Sequence, residues 1–298
     1  MNPGGACRKS VFIESIFSIA LVLFALAFYY TQGFGLLQVQ PKESLEDYQW
    51  GELKAIAAMI SDAKTDEDAT AIAYRYGLCD KNGKPYQDNI KEVYHKGGSG
   101  TNQVRIIGFR HDAIDDYKYA GITFCFCHPF DTMPMYYSLD AESPTNGWTQ
   151  SGARYKLAKC LSTPAEKSNR IDDKLGSAIT TVRKKTYTYD VASKGLIEDQ
   201  SYDRLFLLSY SEVFGSDGGG FGRYKDEYDL GYEGEQYALF RKATKKELRQ
   251  MVASPGKTIW LRTHSSKNPR RYLAITPKAS MTSESAGSEN DTLVAFCL

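Results

Sequence analysis

The sequence predicts an α+β protein in three parts: an apolar N-terminal helix over residues 1–37, a linker with two helices over 38–80, and a mixed, β-rich domain over 81–298. Three observations carry this. Residues 11–37, VFIESIFSIALVLFALAFYYTQGFGLL, form one apolar run with no second like it. Between residues 44 and 77, capping residues and apolar positions recur at helical spacing. From about residue 88, short β-branched and aromatic segments alternate with polar Gly, Asp and Asn turns, which is the pattern of strands.

The first part fixes a location. Residues 11–30 hold a single charge, Glu14, and as a helix they span roughly 30 Å, enough to cross a bilayer. Arg8 and Lys9 precede the run and the next basic residue is Lys42. The positive-inside rule then puts the N-terminus in the cytoplasm and the C-terminal domain outside a cell membrane crossed once. A signal anchor is one reading. A secretory signal cleaved near Ala27, where Ala25, Leu26 and Ala27 supply small residues at the usual spacing, is another. Glu14 is costly in hydrocarbon and so points to a membrane or assembly role.

In the second part, Ser44 with Asp47 reads as a cap, followed by an apolar face of Trp50, Leu53, Ala57 and Ile60. Thr65 with Asp68 opens a second helix that Gly77 ends. DKNGKP (80–85) is turn chemistry. In the third part, residues 103–109 and 120–127 read as strands around a polar loop, 151–161 as a short helix, and 180–188 and 204–208 as strands. Ser209 and Glu212 cap a turn ending at Gly215, and a short helix lies near 245–252. Residues 259–262, 272–275 and 293–298 complete the strands. The glycine-rich stretch 215–237 and SMTSESAGSEND (280–291) read as exposed loops.

Charge excludes one class of partner. Removing Arg8, Lys9 and Glu14 with the first 37 residues leaves 35 basic and 35 acidic side chains, from 37 and 36 in the whole chain. A neutral ectodomain has no electrostatic reason to hold nucleic acid. Beyond the apolar run lie five cysteines, Cys79, Cys125, Cys127, Cys160 and Cys297, an odd set that leaves at least one free or paired between chains. They are the candidates for a disulfide or thiol function. Cys125, Cys127 and His128 lack the second ligand pair of a zinc site and read better as strand residues. Asp112, Asp115 and Asp116 in the loop after the first long strand are the candidate metal ligands, for calcium. The glycines near 215–222 lack the Lys-Ser/Thr pair of a phosphate cradle. Trp260 and Arg262 read as core and a buried pair.

Three resemblances follow from these residues. RKSVFIESIFSIALVLF is similar to the start of type IV pilins and TadE-like pseudopilins, with Ser10 as the first mature residue, Glu14 as the fifth, and Lys9 where that family has Gly. WGELKAIAAMI, VRIIGFRHD, AGITF, TNGW, RLFLLSYSEVFG, EGEQYALF, IWLRT and LVAFCL, in that order from about residue 46 to 298, resemble the DUF6273 domain of secreted and surface proteins, a family without assigned function. The C-terminal order of a WLR strand, polar loop and apolar strand also resembles C-type-lectin-like folds. These features together lead to the expectation of a membrane-tethered extracellular binding protein, an adhesin or ligand-recognition module, in its sharper form a minor or tip pilin. Its expected partners are the membrane through residues 11–37, pilus subunits, and an extracellular protein or glycan. The alternative is an envelope enzyme with a metal or thiol site.

Overall fold

The computed structural model describes residues 39–94, 101–136, 146–161, 171–215 and 232–298. The chain divides into two compact units, Met1–Gln40 and Pro41–Leu298. The apolar run, Glu14 and the cleavage site near Ala27 lie outside the described residues, and among the described residues no helix is long and apolar enough to cross a membrane.

The second unit is mixed α+β and rich in β. Its elements in chain order are α1 (Trp50–Ser61), α2 (Asp66–Arg75), β1 (Ile90–Tyr94), β2 (Thr101–Phe109), β3 (Ile122–Phe126), β4 (Asp131–Met133), α3 (Gly152–Lys159) and α4 (Asp173–Ala178). There follow β5 (Val182–Asp190), β6 (Gly195–Asp203), β7 (Phe206–Leu207), α5 (Tyr210–Phe214) and α6 (Lys245–Val252). The C-terminal strands are β8 (Ile259–His264), β9 (Arg271–Ile275), β10 (Met281–Ser285), β11 (Asn290–Thr292) and β12 (Val294–Cys297). One five-stranded sheet runs β1-β2-β3-β12-β7, a second runs β10-β9-β8-β11-β4, and β5 pairs with β6 alone. Every pairing is antiparallel except that of β8 with β11.

The C-terminal strand β12 lies inside the first sheet, between β3 and β7, so the chain's last residues complete the core instead of trailing from it. All five residues of β3 are buried, which fits a strand covered on both faces. Trp50 of α1 sets its ring edge-on to Phe124 and Phe296 at 5.8 and 6.2 Å, and Phe124 stacks on Phe296 at 5.3 Å. Such aromatic pairs are worth about 0.5–1.5 kcal/mol each beyond the area they bury. The helix comes so close that a Cβ on Gly121 would sit 1.9 Å from the Ala57 carbonyl oxygen.

Three predicted boundaries shift. Helix α1 begins at Trp50, with Gln49 at its cap and the Gln49 N–H donating to Glu52 Oε2 at 2.7 Å. Ser44 instead closes a separate turn, its N–H and hydroxyl both donating to Asp47 Oδ2. Residues 204–208 contribute only Phe206 and Leu207 to a strand. The polar stretch 280–291 is not wholly loop: it supplies β10 and β11, which gain backbone pairing on β9, β8 and β4. Thr65 and Ser209 do cap their helices, each accepting from the N–H three residues on, and Ser151 does the same for α3.

Candidate functional site

Strand β5 alternates, and its inward residues begin Val182, Lys184, Thr186, so period 2 carries a lysine into the interior. An unpaired ammonium there would be prohibitively costly. Lys184 Nζ lies 2.5 Å from Asp112 Oδ1 and 2.6 Å from Glu212 Oε1, and 4.2 Å from the centre of the Phe206 ring. Glu212 is held by the local logic of α5: Ser209 Oγ accepts from the Glu212 N–H while Glu212 Oε2 accepts from the Ser209 N–H, a capping box. The same carboxylate receives Arg262 of β8 in bidentate fashion, Nη1 to Oε2 at 2.5 Å and Nη2 to Oε1 at 2.9 Å. Two cations therefore meet two carboxylates, and the cluster is neutral.

Asp112 reaches this point because the loop after β2 is a small hairpin. Ala113 bridges Tyr119, and the Ala120 N–H donates to the Asp112 carbonyl at 2.8 Å. Besides Lys184, the Asp112 carboxylate accepts from Thr123 Oγ1 at 2.5 Å, from Tyr237 OH at 2.9 and 3.0 Å, and from Cys297 Sγ at 3.3 Å. Burial alone would raise this carboxyl, but Lys184 and His111 outweigh it and hold it well below the ordinary range. Burial likewise works against Glu212, yet Arg262 and Lys184 bring it down to about 2. For Lys184, burial opposes the charge and the two carboxylates win, so the amine is raised. His111 stacks on Tyr237 at 3.8 Å, with Nε2 2.8 Å from the Glu235 carbonyl and Nδ1 3.5 Å from Asp112 Oδ1.

Glu233 is a further buried carboxyl beside the cluster. Its Oε1 accepts from the Tyr187 N–H at 3.2 Å, Oε2 pairs with Thr263 Oγ1, and its carbonyl accepts from Arg262 Nη2 at 3.1 Å. With Arg262 already balanced by Glu212, burial dominates and pushes Glu233 up to about 7. Above these residues opens a cavity of about 800 Å³. Its inner wall includes Asp112, Lys184, Glu212 and Glu233, and its outer part includes the more exposed Asp66, Tyr119, Tyr232 and Arg241.

The three predicted calcium ligands do not converge. Asp112 is committed to the cluster. Asp115 Oδ1 accepts from the N–H groups of Tyr117 and Lys118 in its own turn, and Asp116 accepts from Arg183 Nη1 at 2.6 Å. Among the described residues the only three that bring ligand atoms within 4.8 Å of one another are His111, Asp112 and Glu212. Lys184 Nζ contacts both carboxylates of that set, so a divalent cation would have to displace an ammonium.

Cys79, Cys125, Cys127 and Cys297 are free thiols. Burial pushes Cys79 up to about 12 and raises Cys125 and Cys127, while burial and Asp112 raise Cys297. Cys127 Sγ accepts from Arg105 Nε at 3.2 Å, and Cys160 Sγ donates to the Lys156 carbonyl at 3.4 Å. Only Cys297 touches the cluster.

Sequence reasoning placed Arg262 as a buried pair and missed Lys184, Glu233 and Tyr237. The signal for Lys184 was its position between Val182 and Thr186 on one strand face. Glu233 and Tyr237 carry no such signal, since they close a glycine-rich stretch whose residues 216–231 lie outside the described part. No family model, curated protein or solved structure matches this chain.

Proposed function

We propose that this chain is a membrane-tethered extracellular binding protein, held through residues 11–37, whose ligand is a neutral polyhydroxylated molecule, a glycan, seated in the cavity above the buried cluster. The observation that carries this reading is the charge pairing of the cavity. Arg110 faces Asp66 at 3.6 Å, Arg183 pairs with Asp116, Lys185 with Glu198 at 2.7 Å, Arg241 with Glu235 at 3.3 Å, and Lys184 with Asp112 and Glu212. Such a lining offers many donors and acceptors, and its charges are paired apart from Glu233, whose ionisation burial disfavours until about pH 7. Tyr119 and Tyr232 add flat, partly exposed rings of the kind that cover a sugar face. A thiol enzyme would instead need a thiolate, and burial works against one at Cys79, Cys125, Cys127 and Cys297.

The similarity to the DUF6273 domain and to lectin-like folds belongs to the same proposal, as does the minor or tip pilin form with Glu14 as its assembly contact. The pilin form requires loss of the first nine residues on maturation, and an intact Met1 in surface material excludes it. The binding reading is tested with the full-length chain on an array of neutral and anionic oligosaccharides. Retention of a neutral oligosaccharide, weakened about tenfold by Tyr119→Ala or Tyr232→Ala, supports it. Retention of anionic sugars only, of none, or of a neutral sugar insensitive to both substitutions overturns it.

A further inference from the structure

Lys184, Asp112 and Glu212 bring together an amine, a carboxyl and a proton acceptor in one buried site. Each side chain is 3% exposed or less, Nζ is 2.5 Å from Asp112 Oδ1 and 2.6 Å from Glu212 Oε1, and the Phe206 ring covers the ammonium at 4.2 Å. The other Asp112 oxygen accepts from Thr123, Tyr237 and Cys297. Three donors on one carboxyl oxygen stabilise the negative charge that grows there when a nucleophile adds to the carbon. We propose that Lys184 Nζ and Asp112 Cγ condense to an intramolecular amide, with Glu212 relaying the proton.

The step balances without a co-reactant. The ammonium gives one proton to Asp112 Oδ1, leaving a neutral amine and a carboxylic acid. The amine adds to Cγ, forming the C–N bond and placing the charge on Oδ2, while the nitrogen passes a second proton to Glu212 Oε1. The C–Oδ1 bond then breaks, and the oxygen takes that proton from Glu212 and leaves as water. Glu212 returns to a carboxylate and accepts from the new amide N–H.

Charge balance favours the product. A buried ion pair gives up much of its attraction to desolvation, whereas an amide is neutral. Losing Lys184 and Asp112 together removes one charge of each sign, so Glu212 and Arg262 remain a balanced bidentate pair. Asp112 is the better acceptor of the two acids. Glu212 has both oxygens on Arg262, whereas the Asp112 oxygen opposite Nζ holds neutral donors. The bond would tie the loop after β2 to β5 across 72 residues of sequence.

Mass spectrometry of the full-length chain after trypsin decides the matter. The expected product is residues 111–118 (HDAIDDYK) joined to residues 184–185 with the loss of one water, because an acylated Lys184 is no longer cleaved. Lys184→Arg keeps the cationic partner but not the amine, and should give residues 111–118 unbranched at full mass. Glu212→Asp keeps the charge on Arg262 while drawing the carboxylate back from Nζ, and should lower the branched fraction at least tenfold. Unbranched residues 111–118 from the wild-type chain, a lost water without residues 184–185 attached, or an undiminished branch in Glu212→Asp overturns the proposal.

Discussion

Replacing Glu233 with Gln removes a buried carboxyl while keeping its shape, and its effect on stability should depend steeply on pH. In the folded chain, burial raises this group from 4.5 to about 7, against the pull of Arg262 and Thr263. Between those values the folded state holds a proton that the unfolded chain has released. Stability from this group is therefore complete below about pH 4.5 and is lost as pH rises through about 7. At about 1.4 kcal/mol per pH unit, the whole gap is worth about 3 kcal/mol. The neighbours explain why the ionised form is poorly received: Glu212 and Asp112 already balance Arg262 and Lys184, so a third carboxylate adds an uncompensated charge. Gln retains an oxygen for the Tyr187 N–H and offers an N–H to Thr263 Oγ1, which also accepts from the Tyr210 N–H at 2.8 Å. Urea unfolding of the full-length wild-type and Glu233→Gln chains, followed by tryptophan fluorescence from pH 4.5 to 8.5, measures the difference. The two should be nearly equal at the acid end, with Glu233→Gln more stable by about 3 kcal/mol at the alkaline end. A difference that stays flat with pH, or that favours the wild type as pH rises, refutes the reasoning.

Gly121→Ala should cost about 3 kcal/mol, a fall of roughly 10 °C in Tm, because the new methyl meets the backbone of Ala57, which cannot move aside without shifting α1. Thermal melts of the two chains check it. Trp148→Phe should cost about 2 kcal/mol in urea unfolding, since the indole N–H donates to Asp203 Oδ2 at 2.9 Å inside the core and Phe leaves that oxygen with Ser201 alone. Cys125 and Cys297, both buried and with the thiol pKa raised so that the thiolate is suppressed, should resist iodoacetamide at pH 8 in the native chain and react once urea unfolds it; mass mapping of the labelled chain reads this directly.

What could be read from the sequence was local. Thr65 and Ser209 are caps because their hydroxyls serve the N–H three residues ahead, and such a pattern is written in the chain itself. Strands β2, β3, β8, β9 and β12 are apolar enough to announce themselves. Strand β6 is not, because in its two-stranded ribbon with β5 the buried residues, Ser201 and Asp203, are polar, while Ile197 and Tyr202 lie exposed. Strand β10 likewise buries little beyond Met281 and is held by backbone bonds to β9. The site was hidden for a related reason. Asp112, Asp115 and Asp116 look alike in sequence, and only the register of a hairpin, Ala113 opposite Tyr119, sends the first inward and leaves the others on the surface. Glu212 was legible as a cap but not as the partner of two cations from other strands.

That double duty makes the cluster a unit whose members cannot be assessed one at a time. Arg262→Met alone leaves Asp112 and Glu212 facing only Lys184, a net negative charge in the interior. Glu212→Gln alone leaves Arg262 and Lys184 facing only Asp112, a net positive one. Each should cost roughly 3–5 kcal/mol, the usual penalty of a buried charge stripped of its partner. Combining them restores neutrality, because Lys184 and Asp112 balance each other both as an ion pair and as the amide, and the side chain introduced by Glu212→Gln keeps the helix cap through its carbonyl oxygen. The double variant should therefore be less destabilised than the sum of the singles by several kcal/mol, measured as the coupling term of a double-mutant cycle in urea. Additive losses would mean that the four groups act as independent contacts. In that case mutual neutrality would not be what holds the cluster, and the raised Glu233 carboxyl would not owe its shift to the balance of Glu212 and Asp112 against Arg262 and Lys184.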